Sequence, residues 1–441
     1  MTLTQQKHLG EDARPGVIHG LRWYIVALIF LVTCINYIDR SSVGLLVTDF
    51  GPSLGITRAL YGNVATILLF AYTLSQAVSG RLYDRFGARI GFTVSICVWC
   101  VAAMAHAFLA GFASFALCSF FLGLGEAGNW PGAAKVIAEW FPQRERATGM
   151  AIFNTGASIG AVIAPLLVAR WLDPAVGWRL TFLIVGILGF VWLAAWLALY
   201  HPVRKHPRLG WDERRVIEDG QAPTSHIPAP PVSYLLGLRQ TWGILIARFL
   251  VDPVWWLYVL WLPTYLKDAR NLDIKAIGAA AWAPYLAAAA GALFGGWLAG
   301  QLIRARFTLN TARWIVIAAA ACMMPFGIFA AHARTTAGAL ACIAVVLFGF
   351  QMWITNVQTL PSDFFPGNAV GTVAGMGGMA AGIASMIFIR FTASMVQHFG
   401  YNFVLTLAGA VAPVAAILLF VIAGPIHRIA LPIPISIQEP T

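Results

Sequence analysis

The stretch NYIDR (residues 36–40) lies inside the first long apolar run of the chain, at about 23–47. It places an acidic and a basic side chain next to each other. At about 100° per residue, Asn36, Asp39 and Arg40 fall within one third of the circumference of a helix. A charge at bilayer depth costs roughly 2.5–3.5 kcal/mol on insertion scales, so such groups usually line a bundle interior or a water-filled cavity. The alternative is an ion pair that only locks helices together; adjacent residues cannot pair along one helix, so each needs a partner elsewhere.

Composition identifies the class of protein. Hydrophobic residues make up 59% of the 441, charged residues only 11%, and the mean hydropathy is +0.75. A soluble domain of this size cannot bury that much apolar surface, so the sequence predicts an all-α integral membrane protein. The first twenty residues lack the pattern of a cleaved signal peptide. The six cysteines lie in apolar runs without ligand spacing, which indicates neither disulfides nor a metal site, and no cofactor is expected.

Polar and Pro/Gly punctuation divides the chain into twelve predicted transmembrane helices. Their approximate limits are 22–47, 59–80, 89–110, 112–139, 146–170, 178–200, 238–266, 274–303, 312–332, 336–360, 369–397 and 402–424. We refer to them as spans 1 to 12.

The basic residues are distributed unequally between the loops. With the N-terminus inside, seventeen of the 29 Lys and Arg fall on the cytoplasmic side and six in the opposite loops. This asymmetry predicts that both termini are cytoplasmic in a bacterial inner membrane. The excess of basic residues in cytoplasmic loops also explains the net charge of +11, so no nucleic-acid partner is expected.

The longest loop separates two sets of six spans. The predicted organisation is a cytoplasmic tail at 1–21, a six-helix bundle at 22–200, a linker at 201–237, a second bundle at 238–424 and a cytoplasmic tail at 425–441. The linker contains a charged stretch that could form a short helix, followed by a Pro-rich segment. The sequence EWFP (139–142) closes span 4 and DFFP (363–366) closes span 10, 224 residues later. Two six-helix pseudo-repeats around a central site are typical of transporters.

The loop between spans 2 and 3 reads GRLYDRFGAR (residues 80–89). It resembles the signature loop of the major facilitator superfamily, with matching positions at Gly80, Asp84, Arg85, Gly87 and Arg89. An acid at a helix end between basic residues can form a breakable charge network, which is suited to gating the cytoplasmic mouth. The alternative is an ordinary positive-inside loop. The matching loop of the second half has Gly300 where an acid is expected, so the network is predicted to be one-sided.

Span 4 carries a second intramembrane acid, Glu126. Ser119, Asn129 and Trp130 share its face, and Asn129 is a candidate substrate contact. Lys135 lies about 180° around the helix. Burial disfavours a charged carboxylate, so Glu126 is a candidate for loading and releasing a proton, and Arg40 is its expected partner. The alternative is a purely structural, hydrogen-bonded acid.

Further polar and aromatic side chains in apolar spans are candidate substrate contacts. Span 2 offers Tyr72 and Gln76, and span 5 offers Asn154. In span 7, Arg248 and Asp252 are spaced for a structural ion pair, and the Asp252-Pro253 step favours a helix break. The aromatic and amide candidates of the second half are Trp255, Trp353 and Asn356.

Taken together, the chain resembles the anion:cation symporter branch of this superfamily, in particular bacterial transporters of hexuronates and galactonate. The resemblance rests on NYIDR, GRLYDRFGAR, LGEAGNWPGAAKVIAEWFPQRERATGMAIFNTGASIGAVIAP, LVDPVWWLYVLWLPTYL and NVQTLPSDFFPGNAVGTVAGMGGMAAGI. It implies that Arg40 holds the substrate carboxylate, that Asp39 and Glu126 carry protons, and that Tyr37, Tyr72 and Trp353 belong to the pocket. One departure is Ser119, where galactonate-type members have an arginine.

We therefore expect alternating-access import of a sugar acid anion, such as glucuronate or galacturonate, together with protons. The alternatives are another organic anion (galactonate, glucarate, tartrate or a phthalate-like acid), sodium coupling, or a transporter-like sensor. The sequence contains no nucleophile motif or ligand cluster that would favour an enzyme. The expected partners are the small anion, protons and the lipid bilayer, and a monomer is expected.

Overall fold

The computed structural model describes residues 17–171, 177–218, 229–272 and 282–429. The outer parts of both predicted tails and most of the Pro-rich part of the linker lie outside the described residues, so their limits stay predictions. In the described parts of the chain, nine helical segments are long and apolar enough to cross a membrane. Two of these contain a turn and provide two spans each, and span 4 is divided into two shorter helices, which gives the twelve predicted spans.

Most helix bounds agree with the sequence prediction to within about five residues, but span 1 continues to Ser53 and span 2 to the turn at Gly87, beyond their predicted limits of 47 and 80. The spans are Leu21–Ser53 for span 1, Arg58–Ala105 for spans 2 and 3, Phe112–Glu126 and Asn129–Trp140 for span 4, Arg146–Trp171 for span 5, Gly177–Leu199 for span 6, Arg239–Asp268 for span 7, Trp282–Arg304 for span 8, Leu309–Met323 and Phe326–His332 for span 9, Thr336–Val357 and Leu360–Phe364 for span 10, and Gly367–Ala423 for spans 11 and 12.

Glycines make the two tightest reversals between consecutive spans. Gly87 has φ 79° between spans 2 and 3, and Gly400 has φ 76° between spans 11 and 12. Glycine adopts this left-handed region without the steric cost that a Cβ atom brings, so the chain can reverse without a long loop.

The repeated EWFP and DFFP segments have the same structural role in both halves. Each ends a short helix at the close of span 4 or span 10, and the next span starts within a few residues, at Arg146 or Gly367. Most of the buried apolar side chains form two clusters, one almost entirely from residues 21–217 and one almost entirely from residues 235–426. Each six-helix half therefore has its own core.

Span 7 does not break at the Asp252-Pro253 step, and this prediction is wrong. The helix Arg239–Asp268 continues through Pro253 and Pro263. Proline removes one backbone hydrogen bond, but membrane helices tolerate it where neighbouring helices pack around the freed carbonyl.

The charged stretch of the linker forms the predicted short helix, Trp211–Glu218. Its Glu213 carboxylate accepts hydrogen bonds from the backbone N–H groups of Leu21 (2.9 Å) and Arg22 (3.1 Å) and from the Arg22 guanidinium (2.9 Å). The linker thereby satisfies the free N–H groups at the start of span 1.

The two halves meet near one end of the bundle. We call it the basic end, because the connection between spans 2 and 3, which contains Arg81, Arg85 and Arg89, lies there. Span 2 packs on span 11, where the carbonyl of Gly371 occupies the place that a Cβ of Gly80 would take. Span 5 packs on span 8, where Thr148 Oγ1 donates a hydrogen bond to the Gly296 carbonyl at 3.2 Å.

A buried carboxylate connects the halves at this end. Asp84 accepts hydrogen bonds from the backbone N–H groups of Gly371 (3.0 Å) and Thr372 (2.6 Å) and from the Thr372 hydroxyl (2.7 Å). Lys135 Nζ lies 3.3 Å from Asp84 and also donates to the Gly367 carbonyl. Charge-assisted hydrogen bonds are stronger than neutral ones, so Asp84 is the main polar contact between spans 2 and 11.

The other residues of the loop have different surroundings. Arg89 Nη2 donates to the Leu197 carbonyl at 2.6 Å, which fixes span 3 to span 6. The Arg85 guanidinium lies 5.4 Å from the centre of the Phe86 ring. In the second half, Gly300 lies close to the Arg144 carbonyl and contributes packing without charge.

We expect Gly123→Ala to lower the melting temperature of the detergent-purified protein. A Cβ at this position would overlap the Leu68 carbonyl on span 2, so spans 2 and 4 must separate, at a cost of about 1–3 kcal/mol. Gly62→Ala is the matched control, because nothing lies within 4 Å of a Cβ there. Equal melting temperatures for both variants would contradict this account of the packing.

We expect Asp84→Asn to loosen the basic end. The asparagine side chain has no negative charge to strengthen the three hydrogen bonds, and its amide faces two backbone N–H donors. Local opening of this contact should therefore be about tenfold faster or more. Hydrogen-exchange mass spectrometry of peptides that cover residues 367–375 measures this. Asp212→Asn, on the exposed face of the linker helix, is the control, and unchanged exchange in Asp84→Asn would refute the role of this carboxylate.

Candidate functional site

A central cavity lies between the two halves. It encloses about 790 Å³ of atom-free space, including its opening. Both halves contribute polar and aromatic side chains to its wall, which are Tyr37, Arg40, Tyr72, Gln76, Trp130, Asn154, Arg248, Asp252, Trp255, Trp256, Gln351, Gln358 and Ser385. Concave sites with a few convergent polar groups among aromatic side chains are typical binding sites for small molecules.

Arg40 forms part of this wall and pairs with Glu126, as the sequence predicts. The Arg40 guanidinium donates from Nε (3.1 Å) and Nη2 (2.5 Å) to one oxygen of Glu126. The Arg40 side chain keeps 21% of its surface exposed, whereas that of Glu126 is completely buried. The arginine therefore faces the cavity, and its acid stands behind it.

Two tyrosines orient the arginine. The ring centre of Tyr72 lies 4.6 Å from the Arg40 guanidinium carbon, and that of Tyr37 lies 6.0 Å from it. Aromatic faces attract guanidinium groups, so the pair of rings stabilises Arg40 at the cavity wall. Tyr37 in turn packs against Trp130 at a centre distance of 6.2 Å.

The turn inside span 4 explains the position of Glu126. The first helix of the span ends at Glu126 and the second begins at Asn129. Ala127 and Gly128 between them keep right-handed helical dihedral angles, so the interruption of the span is a local one. Lys135, which the sequence placed on the opposite side of the helix, pairs with Asp84 and Glu139 instead.

Asp39 lies away from the cavity. Its side chain is completely buried and accepts a hydrogen bond from the indole N–H of Trp99 on span 3. Adjacent residues on a helix point about 100° apart, so Asp39 faces the interior of the N-terminal half while Arg40 faces the cavity.

Asn154 and Trp255 occupy the cavity wall as expected. The Asn154 amide donates to Gln358 Oε1 (2.9 Å) and to the Thr355 hydroxyl (3.4 Å), so it joins span 5 to span 10. Trp255 stacks on Phe350 with ring centres 5.7 Å apart.

Three candidate contacts lie outside the cavity wall. Asn129 donates to the Thr33 hydroxyl at 3.0 Å, and Trp353 is completely buried. Asn356 donates to the carbonyls of Met352 (2.9 Å) and Gly295 (3.3 Å). These contacts give Asn129 and Asn356 a packing role between helices.

The face of span 10 that meets the cavity carries Gln351 and Gln358, not Trp353 and Asn356. The two glutamines are seven residues apart, which places them on one side of a helix two turns apart. The seven-residue spacing of the two glutamines was the available sequence signal for a shared face. However, the periodicity of an apolar helix does not show which of its polar sides faces the centre of a bundle.

Arg248 and Asp252 form the ion pair that their spacing predicts. Arg248 donates from Nε (3.2 Å) and Nη2 (2.7 Å) to one Asp252 oxygen. Both residues belong to the cavity wall, a location that was not predicted.

A buried ionic cluster in the second half escaped the sequence reasoning. Asp363, at the end of span 10, lies 2.8 Å from Arg313 of span 9 and 3.7 Å from Arg146 of span 5. Arg146 also donates to the Ser362 carbonyl at 2.6 Å. The cluster fixes the start of span 5 to the opposite half.

Comparison with known proteins agrees with this architecture. Residues 29–389 match the sequence profile of the Major Facilitator Superfamily. The chain is 32% identical to the hexuronate transporter of Escherichia coli strain K12 over 391 residues, which covers 87% of this chain and 90% of the relative. It is 30% identical to the probable galactarate/D-glucarate transporter GudP of Bacillus subtilis strain 168, with 97% of each chain covered.

A solved structure has the same fold. The proton:xylose symporter XylE, bound to 6-bromo-6-deoxy-D-glucose, superposes with a TM-score of 0.70 at 15% identity and covers 92% of this chain and 96% of its own. The profile match extends over most of the chain, and the relatives are similar along nearly their whole length. The protein is a multi-pass membrane transport protein, not an enzyme, and it belongs to the Major Facilitator Superfamily.

Proposed function

We propose that the protein imports a sugar acid anion, a hexuronate such as glucuronate or galacturonate, together with protons across the bacterial inner membrane. The observation that carries this proposal is the Arg40–Glu126 ion pair, with the arginine exposed to the cavity and the acid buried behind it. The relatives named as hexuronate and galactarate/D-glucarate transporters support a carboxylated sugar as the substrate class.

Arg40 is the proposed binding group for the substrate carboxylate. Its planar guanidinium carries a permanent charge and matches a carboxylate in a two-point geometry. Tyr37 and Tyr72 hold it in place. Gln76, Asn154 and Gln358 offer amide groups to sugar hydroxyls, and Trp255 offers an apolar face for the sugar ring.

Glu126 is the proposed proton carrier. In the empty site its carboxylate occupies the Arg40 donors that the substrate needs. A proton on Glu126 weakens this pairing and releases Arg40, and a bound substrate carboxylate in turn favours the protonated acid. Proton and substrate are thereby linked through one arginine, because each is bound better when the other is present. We propose Asp39 as a second proton site, located inside the N-terminal half.

We infer the direction of access from the basic residues at one end of the bundle. We propose that the basic end and both termini face the cytoplasm, in accordance with the positive-inside rule. The described contacts of Asp84, Lys135 and Arg146 close this end, so the conformation corresponds to an inward mouth that is shut. The loop of Gly80, Asp84, Arg85, Gly87 and Arg89 is the proposed gate, and the protein works as a monomer in this scheme.

We expect Glu126→Gln to abolish proton-driven accumulation and to keep exchange. Glutamine resembles the protonated acid in shape and charge, so Arg40 remains available at every pH. In the wild type, substrate affinity should increase as the pH falls, because protonation of Glu126 releases Arg40; in the variant this dependence should disappear. Uptake of radiolabelled glucuronate and galacturonate into proteoliposomes, with an inward proton or sodium gradient and in counterflow, measures both effects.

The control for this experiment is Glu218→Gln on the linker helix, which should behave as the wild type. Proton-driven accumulation that survives Glu126→Gln would move the coupling to Asp39. Accumulation driven only by sodium would contradict proton coupling.

We expect Arg40→Lys to bind the sugar acid about tenfold to a hundredfold more weakly. Lysine keeps the charge but presents a compact ammonium, so the planar two-point contact and the stacking on Tyr72 are lost. Equilibrium binding of glucuronate to the purified protein, compared with the exposed Arg179→Lys, measures the change. Unaltered affinity would remove Arg40 from the binding site.

A further inference from the structure

We propose that the C-terminal half holds a second carboxylate-binding site, formed by Arg248 with Asp252, so that the preferred substrates carry a carboxylate at both ends of the sugar chain. Among the sugar acids of the proposed function, the preferred class is a hexaric acid, and a hexuronate is bound more weakly. This inference rests on the proposed function, since it assigns a second contact to the same transported molecule.

The two arginine–acid pairs of the cavity have the same construction. Arg248 gives its Nε and Nη2 groups to a single oxygen of Asp252, as Arg40 gives the same two groups to a single oxygen of Glu126. A guanidinium has five N–H donors, so donors remain on each arginine for a further carboxylate. In the described part of the chain, the other oxygens, Asp252 Oδ1 and Glu126 Oε1, are buried without a hydrogen-bond partner.

The two arginines line the same cavity from different halves of the protein. Arg40 belongs to span 1 and Arg248 to span 7, in different halves, and both line the cavity. The Arg248 side chain packs on Gly377, where an added Cβ would lie 3.2 Å from its Cδ. The neighbouring carbonyl of Gly378 accepts a hydrogen bond from Gln76 at 3.2 Å, and Gln76 is one helical turn from Tyr72. A continuous polar wall therefore connects the two arginines.

A purely structural role does not account for this placement. The two residues are four apart on the same helix, so their pairing holds no second helix in position. Their side chains are only 9% and 12% exposed, and a buried ion pair costs desolvation energy that an apolar pair of similar volume avoids. Charged groups in membrane spans that open on a central cavity are usually retained for binding or transport.

Two arginines that line one cavity favour a substrate with two carboxylates. A hexaric acid has carboxylates at both ends of a six-carbon chain and hydroxyl groups between them. In the proposed arrangement one carboxylate meets Arg40 and the other meets Arg248, and the amides of Gln76 and Asn154, which line the same cavity, meet the hydroxyls. A hexuronate has one carboxylate and leaves one arginine without an anionic partner from the substrate.

The test uses the full chain in detergent. It compares the affinities of two ligands, first in the wild type and then in a double variant. Galactarate is compared with its monoamide, which has the same length but one carboxylate replaced by a neutral amide. The wild type should bind the diacid about tenfold to a hundredfold more tightly than the monoamide. In the double variant Arg248→Gln/Asp252→Asn, which removes both charges together, this ratio should fall to nearly one.

The control is Arg204→Gln/Glu218→Gln, which removes an exposed ion pair on the surface and should keep the wild-type ratio. A ratio near one in the wild type, or an unchanged ratio in the Arg248/Asp252 variant, would overturn the second site. In either case, binding of glucuronate that still depends on Arg40 would leave the proposed function intact. Failure of all sugar acids to bind the wild type would overturn the proposed function and the inference with it.

Discussion

The structure depends on the cost of placing charge inside an apolar bundle. A charged side chain in a membrane span needs a partner or a water-filled cavity, and leaving it alone costs several kcal/mol. Arg40 pairs with Glu126, Arg248 with Asp252, and Lys135 with Asp84. Each pair lies at the cavity or at the contact between the halves. These paired charges thus lie where we propose that the substrate binds and that the halves move.

The two repeats share their backbone pattern but differ in charge. Gly80 and Gly296 allow equivalent close contacts, with span 11 and span 5 respectively. Only the first half adds a carboxylate, Asp84, to this contact, whereas the second half has Gly300 at the equivalent place. Span 2 therefore meets span 11 through a charge-assisted contact, whereas span 5 meets span 8 through packing and a neutral hydrogen bond from Thr148. This difference suits a contact that has to open, because the hydrogen bonds to one carboxylate can be broken together.

The sequence predicted the fold well because hydropathy and punctuation are local signals. Spans, their short connections and the glycine reversals all follow from composition within a window of about twenty residues. The site was predicted in part. The Arg40–Glu126 pair follows from two isolated charges in apolar spans, but the side of span 10 that meets the cavity depends on how helices rotate in the bundle. That rotation is set by tertiary packing, and it placed Gln351 and Gln358, not Trp353 and Asn356, at the wall.

The orientation of the pairs explains how binding can be converted into movement. In each pair the arginine is aimed at the cavity, and its acid keeps one oxygen buried without a partner. A substrate carboxylate that takes over the arginine leaves the acid to be neutralised by a proton, so the loaded site has no uncompensated charge. An arginine whose acid is ionised is also compensated when the site is empty. Only a partly loaded site, which has an arginine without an anionic partner or a carboxylate without a cation, carries the energetic cost of an uncompensated charge. In the proposed mechanism, the halves would reorient only when the site is fully loaded or fully empty, and this restriction would couple proton entry to substrate entry.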